Sequence, residues 1–296
     1  MTANYPAYLA SKRTVDDRAL DHRVLGVARR ALEGRDPIRV LEVGVGIADS
    51  IIRFLDAGLF PSGAVVEYRG VDHRADVLER ARENVYRRAD RAGWKVLDQV
   101  DGVVIETDRT YLRLTLIEAT ADRILIGGEL AVDLIVGQSF VDLVDRAALL
   151  DATAASLVDD GLAYFPATFD GATIFRPVFD PDLDHRIIEA YHRTMDARWP
   201  GASQSGRWIL ETAPTHDLDV LAAAGADWVV HPRNGDYPGR EREFLEAILA
   251  TIYEAVDGAV DPDDLDRWLS VRHDQLEMGS LCYVAHQLDL LLSPRE

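Results

Sequence analysis

Val40-Leu41-Glu42-Val43-Gly44-Val45-Gly46-Ile47-Ala48 is the stretch on which the fold of this chain turns. The apolar run from Ile38 to Val43 predicts a short buried strand, and Asp49 to Leu55 predicts a helix. The two glycines therefore fall in the turn between them. Glycine at such a turn lets the backbone adopt positive φ and approach a ligand closely, in front of the helix N-terminus. A dinucleotide-binding turn would read G-x-G-x-x-G/A. Counted from Gly44, its sixth position is Asp49, an acid where a pyrophosphate would have to sit.

Outward from this unit, strand and helix signals alternate. Residues 65 to 71 predict a second strand ending in Asp72. Apolar positions at 77, 78, 81, 85, 89 and 92 predict a helix from Asp76 to Ala92, stopped by Gly93. The runs 103–107 and 111–117 flank Asp108-Arg109 as a hairpin leading into a third core strand. Strands at 130–136 and 161–165 enclose a helix at 146–158. Upstream, Thr14 and Asp17 are spaced as a capping box before a helix that stops at Gly34. Downstream, residues 218–224 predict a helix and 226–230 a strand. Helices at 240–256 and 262–278 and a final strand at 281–291 follow. The expectation is a doubly wound, mostly parallel seven-stranded sheet with helices on both faces. A single domain would span 1–296, with an N-terminal helical segment at 1–34. The aromatic-rich stretch 170–215, carrying one helix near 187–195, would be an inserted cap.

Composition narrows the function. The 296 residues are 48% hydrophobic, enough for a sizeable core. The net charge is −19, and only Lys12 and Lys95 among the 32 basic side chains are lysines. That balance disfavours nucleic acid, whose backbone is held by clustered Lys and Arg. No apolar run reaches membrane-spanning length, and no secretory signal pattern is found. The single cysteine, Cys282, provides neither a disulfide framework nor a zinc pair. A cytoplasmic location is expected. No metal is expected either. Asp180 to Asp184 imitates the start of a calcium loop, but His185 replaces its required glycine.

The segment Glu42-Val43-Gly44-Val45-Gly46-Ile47-Ala48 resembles motif I of the class I S-adenosylmethionine-dependent methyltransferases, an acid followed by x-G-x-G-x-G, with Ala48 in place of the last glycine. The resemblance covers residues 38 to 165. It implies a Rossmann-like fold, S-adenosylmethionine as cofactor and, here, a small-molecule substrate. It further implies that the loop wraps the methionine half of the cofactor, with Glu42 near its amino group. Asp72 would accept the ribose hydroxyls, with His73 at the cofactor's edge. Thr120 and Ala121 fall where an acid usually meets the adenine amino group, so Asp122 or a backbone carbonyl would substitute. Gln138, after the fourth strand, would face the reactive methyl group.

Candidates for a general base lie in the stretch 170–215: His185, Tyr191 and His192, the last two about 100° apart on a helix. Tyr5, Tyr8, Lys12 and Arg13 precede the first long helix, where such a segment could close over the cofactor. Arg13 is the candidate partner of the methionine carboxylate. Two alternatives remain: a nicotinamide-dependent oxidoreductase, and a non-catalytic nucleoside-binding protein. A homodimer is the rival reading of the aromatic insert.

Overall fold

Strand β1 (Ile38–Val43) has five of its six residues buried and pairs in parallel with β2 (Val65–Asp72) on one edge and β6 (Val132–Val136) on the other. A strand enclosed in this way reads as an apolar run rather than an alternation. The computed structural model describes residues 5–126 and 130–295. Residues 1–4 of the expected N-terminal segment, residues 127–129, and Glu296 lie outside the described residues.

The full sheet has ten strands in the order β3-β4-β5-β2-β1-β6-β7-β10-β8, with β9 paired to β10. Here β3 is Lys95–Gln99, β4 Gly102–Glu106, β5 Tyr111–Glu118, β7 Leu157–Arg176, β8 Leu218–Gly225, β9 Trp228–Val230 and β10 Cys282–Pro294. The five strands from β5 to β7 are parallel, and the flanking pairs are antiparallel. The sheet exceeds the expected seven strands, and β3 and β8 are the two that the sequence did not predict as strands.

Alternate residues of the central strands feed two apolar layers. Val40, Val66, Tyr68 and Leu134 pack beneath α3 (His22–Ala31), α4 (Asp49–Ala57) and α5 (Ala75–Ala92). Leu41, Val43, Ile135 and Phe165 pack beneath α7 (Arg146–Ser156) and α9 (Ser205–Thr212). The short α6 spans Ala121–Ile126. β7 and β10 run on past the parallel sheet as a long antiparallel ladder. A third core forms there, where Phe175, Tyr283 and Val230 meet α8 (Pro181–Arg198), α10 (Glu241–Val256) and α11 (Pro262–Glu277).

Several expectations change. Residues 218–224 are a strand, not a helix. Their alanine-rich sequence suits a helix, but pairing with β10 from Leu288 to Pro294 overrides that preference. The stretch expected as a cap begins inside β7, because residues 170–176 continue that strand, and its helix is twice as long as expected. Thr14 caps nothing. α2 (Arg13–Ala19) has Lys12 at its N-cap without a side-chain bond, and Asp21 caps α3 by accepting from the Arg23 and Val24 amides. The Thr14 hydroxyl instead donates to Glu241 at 2.7 Å. Arg18 donates to both oxygens of this wholly buried carboxylate, at 2.5 and 3.0 Å. This contact pins α1 (Tyr5–Ser11) and α2 above the sheet edge. Asp180, the head of the imitated calcium loop, caps α8 through the Asp182 and Leu183 amides.

Candidate functional site

Chain order reverses between β1 and β6, and open α/β sheets bind ligands beyond the carboxyl ends of the strands at such a point. A cavity of about 1210 Å³ opens there. The ends of β1, β2, β5 and β6 and the middle of β7 form its floor, through Gly44, Asp72, Ala119, Gln138 and Ala167.

The turn after β1 is left-handed at Gly44 (φ +68°), Gly46 (φ +55°) and Ala48 (φ +61°). Gly44 permits a close approach as well, since a Cβ there would lie 2.5 Å from Cδ2 of Phe140. Ala48 stands where the motif has its last glycine. It sits in the left-handed region as the residue before α4, at a cost of about 1–2 kcal/mol. Two further non-glycine residues with positive φ, Ser139 and Ala167, line the same cavity. Strain of this kind collects where a site needs a fixed backbone.

Glu42, the last but one residue of β1, is 1% exposed and accepts the Tyr68 hydroxyl at 2.7 Å. Burial pushes its carboxyl up to about 7, against the pull of the Tyr68 bond and the Arg53 guanidinium. Arg53, itself buried, contacts Asp17 at 2.8 Å and donates to the Gln138 side-chain oxygen at 2.7 Å, which orients Gln138. Asp72 accepts from the Gly46 amide at 3.2 Å and the Arg74 amide at 3.0 Å, so its carboxylate joins the ends of β1 and β2. It is not the cap of α5, whose N-cap residue is Arg74. His73 stands at the rim with its side chain two-thirds exposed. Thr120 and Ala121 line the far end, and the Thr120 hydroxyl holds the Asp122 carboxyl below its ordinary range. An acid thus reaches the cavity two residues after the position where one was expected.

The proposed bases separate. Tyr191 lines the cavity, and burial first, then Asp142, pushes its hydroxyl up to about 12. His192 stands behind the wall, with Nε2 3.0 Å from the hydroxyl of Thr173, a lining residue, and burial draws its imidazole down. His185 is a correction: its side chain is 79% exposed and faces Glu189 at 3.9 Å, away from the cavity. Arg13 is another. It lies outside the lining, 3.7 Å from Asp17 and 4.0 Å from Asp49. The basic group that enters is Lys12, held by Asp16 at 3.2 Å and Ser139 at 3.3 Å, with its Nζ 4.9 Å from the centre of the Trp228 ring.

Sequence reasoning missed much of the upper wall: Asp142, Trp228 and Tyr283, which join Tyr8, Phe169 and Tyr191. Only Asp142 had a local signal, following the fourth strand by six residues. Eight carboxylates and three Lys or Arg side chains line the cavity, so it favours a cation. Asp49 lines it close to the glycine turn, a poor place for a pyrophosphate. Among the described residues, no cluster of His, Cys, Asp and Glu could hold a metal ion, and no helix is long and apolar enough to cross a membrane.

No protein-family model and no curated protein sequence matches the chain. Solved structures do. A S-adenosylmethionine-dependent methyltransferase from Thiobacillus denitrificans, in complex with S-adenosyl-L-homocysteine, aligns over 100% of this chain and 99% of its own. Its TM-score is 0.50 at 16% identity. A S-adenosylmethionine-dependent methyltransferase from Geobacter sulfurreducens aligns over 94% and 93%, with a TM-score of 0.45 at 14% identity. With the parallel strand order and the glycine turn at its switch point, the first of these alignments identifies the architecture: this chain has the fold of the class I S-adenosylmethionine-dependent methyltransferases.

Proposed function

We propose that this protein is a S-adenosylmethionine-dependent methyltransferase acting on a small molecule. The observation that carries the reading is the pairing of the left-handed turn at Gly44 and Gly46 with the Asp72 carboxylate on one cavity floor. The residues present fit the cofactor. Asp72 has acceptor capacity left after its two amide bonds, which suits a pair of ribose hydroxyls. Glu42 is a buried acceptor at the end of β1, suited to an ammonium. The surplus of carboxylates suits a sulfonium.

When bound, the cofactor supplies an electrophilic methyl group. The chain's share is orientation and exclusion of water. Gln138, fixed by Arg53, and Phe140, seated on Gly44, shape the floor. Tyr5, Tyr8 and Leu9 of α1 close the cavity from above. The aromatic wall then provides the largely apolar enclosure, with a few polar anchors, of a small-molecule site.

Calorimetry with S-adenosylhomocysteine tests the reading. Binding is expected, together with a rise in melting temperature. No binding at millimolar ligand, with NAD binding in its place, would refute it.

A further inference from the structure

The upper half of the cavity contains groups that the cofactor reading does not use. Asp142 lies on the short helical turn Val141–Leu143 after β6 and lines the cavity. Among the described residues its carboxylate makes no ion pair and accepts a hydrogen bond only from its own backbone amide, and burial pushes its carboxyl up. Lys12 and Arg198 act on it only at longer range. The phenols of Tyr8, Tyr191 and Tyr283 converge nearby, each raised first by burial, and the Tyr191 phenol raises the other two further. None of these hydroxyls has a hydrogen-bond partner among the described residues. The rings of Phe169 and Trp228 complete the wall.

A carboxylate set into a cavity wall with only its own amide for a partner is costly to ionise unless a ligand supplies the missing charge. Aromatic faces and phenol oxygens around it are the setting in which ammonium groups are recognised. The chamber already holds one such group: the Lys12 ammonium lies over the Trp228 ring, with Asp16 and Ser139 completing its contacts. That ammonium does not reach Asp142. Arg198 does not satisfy it either, since it is exposed at the mouth.

We propose that the methyl acceptor is a small amine, bound as its ammonium between the Asp142 carboxylate and the aromatic wall of Tyr8, Tyr191, Trp228 and Tyr283. This rests on the methyltransferase reading and adds the substrate class to it. Asp142 is then the proton acceptor. One N–H bond of the ammonium breaks, its electron pair stays on nitrogen, and the proton passes to Asp142 Oδ and on to solvent; that pair would form the new N–C bond as the donor's S–C bond breaks, its electrons leaving with sulfur as the neutral thioether. Tyr191, with its hydroxyl near 12, stays protonated and orients the nitrogen.

The test uses the full-length protein saturated with S-adenosylhomocysteine, so that cofactor binding is established first. If S-adenosylhomocysteine does not bind, the methyltransferase reading itself fails. If it binds, calorimetry compares choline with 3,3-dimethylbutan-1-ol, its uncharged isostere. Choline is expected to bind at least tenfold more tightly. Asp142→Asn should bring the two within about twofold while S-adenosylhomocysteine affinity stays unchanged, and Tyr191→Phe should narrow the gap less. Equal binding of the two probes by the unaltered protein overturns the proposal, as does tighter binding of phenol than of choline. A full preference for choline in an Asp142→Asn protein that still binds S-adenosylhomocysteine overturns the assignment to Asp142.

Discussion

Replacing Glu42 by glutamine should stabilise the ligand-free protein at neutral pH while weakening the site. Glu42 is wholly enclosed, and its carboxyl is lifted from the ordinary 4.5 to about 7. A raised folded-state value means that the folded protein holds a proton that the unfolded chain has released between those two values. Folding stability from this group therefore falls as pH rises from about 4.5 to about 7, and is level outside that window. At about 1.4 kcal/mol per pH unit, the full loss is about 3 kcal/mol. Glutamine does not titrate and can still accept the Tyr68 hydroxyl, now 2.7 Å away. The advantage of Glu42→Gln should thus be near zero at pH 4.5 and grow to about 2–3 kcal/mol by pH 8. Urea unfolding of both proteins across that range measures it, and titrations common to both cancel in the difference. A difference that is constant with pH would refute the assignment of a raised carboxyl to Glu42. S-adenosylhomocysteine, whose ammonium favours the ionised form, should bind more tightly as pH rises through 7, with proton release detectable by calorimetry in buffers of different ionisation enthalpy.

Asp72→Ala removes charge-assisted bonds worth about 1.5–3 kcal/mol each, so S-adenosylhomocysteine affinity should drop at least tenfold with the fold retained; an unchanged dissociation constant sinks the ribose assignment. Gly44→Ala combines a left-handed backbone with a Cβ 2.5 Å from Phe140 and should cost at least about 2 kcal/mol. Adding Phe140→Ala should recover part of that cost; strictly additive losses would show that the clash is not the cause. Arg18→Ala leaves the buried Glu241 with Thr14 alone and should cost about 2–3 kcal/mol. It should also speed proteolysis within residues 5–19, and an unchanged cleavage rate would mean that the N-terminal helices are held by other contacts.

The sequence by itself determined the centre of the fold and the floor of the site. β1, β2, β5 and β6 are enclosed by neighbours, so their apolar runs were legible, and the glycine turn between Val43 and Asp49 needs conformations that few other residues adopt. Glu42, Gly44, Gly46, Asp72, Thr120 and Gln138 could be named because each lies within a few residues of a strand end, and the strand ends share one edge of the sheet. The tertiary structure decided the rest. β3 is mostly exposed and has no apolar pattern, so only its ladder with β4 makes it a strand. Residues 218–225 prefer a helix in isolation and become β8 because β10, some seventy residues later, offers them a ladder. The upper wall brings together Tyr8, Asp142, Tyr191, Trp228 and Tyr283 from five separate elements, which no spacing in the chain could announce. His185 and Arg13 looked as suitable as Tyr191 and Lys12 in the sequence. Arg13 is the neighbour of Lys12, and His185 stands six residues before Tyr191; the packing of α8 and α2 against the third core decides which member of each pair faces the cavity.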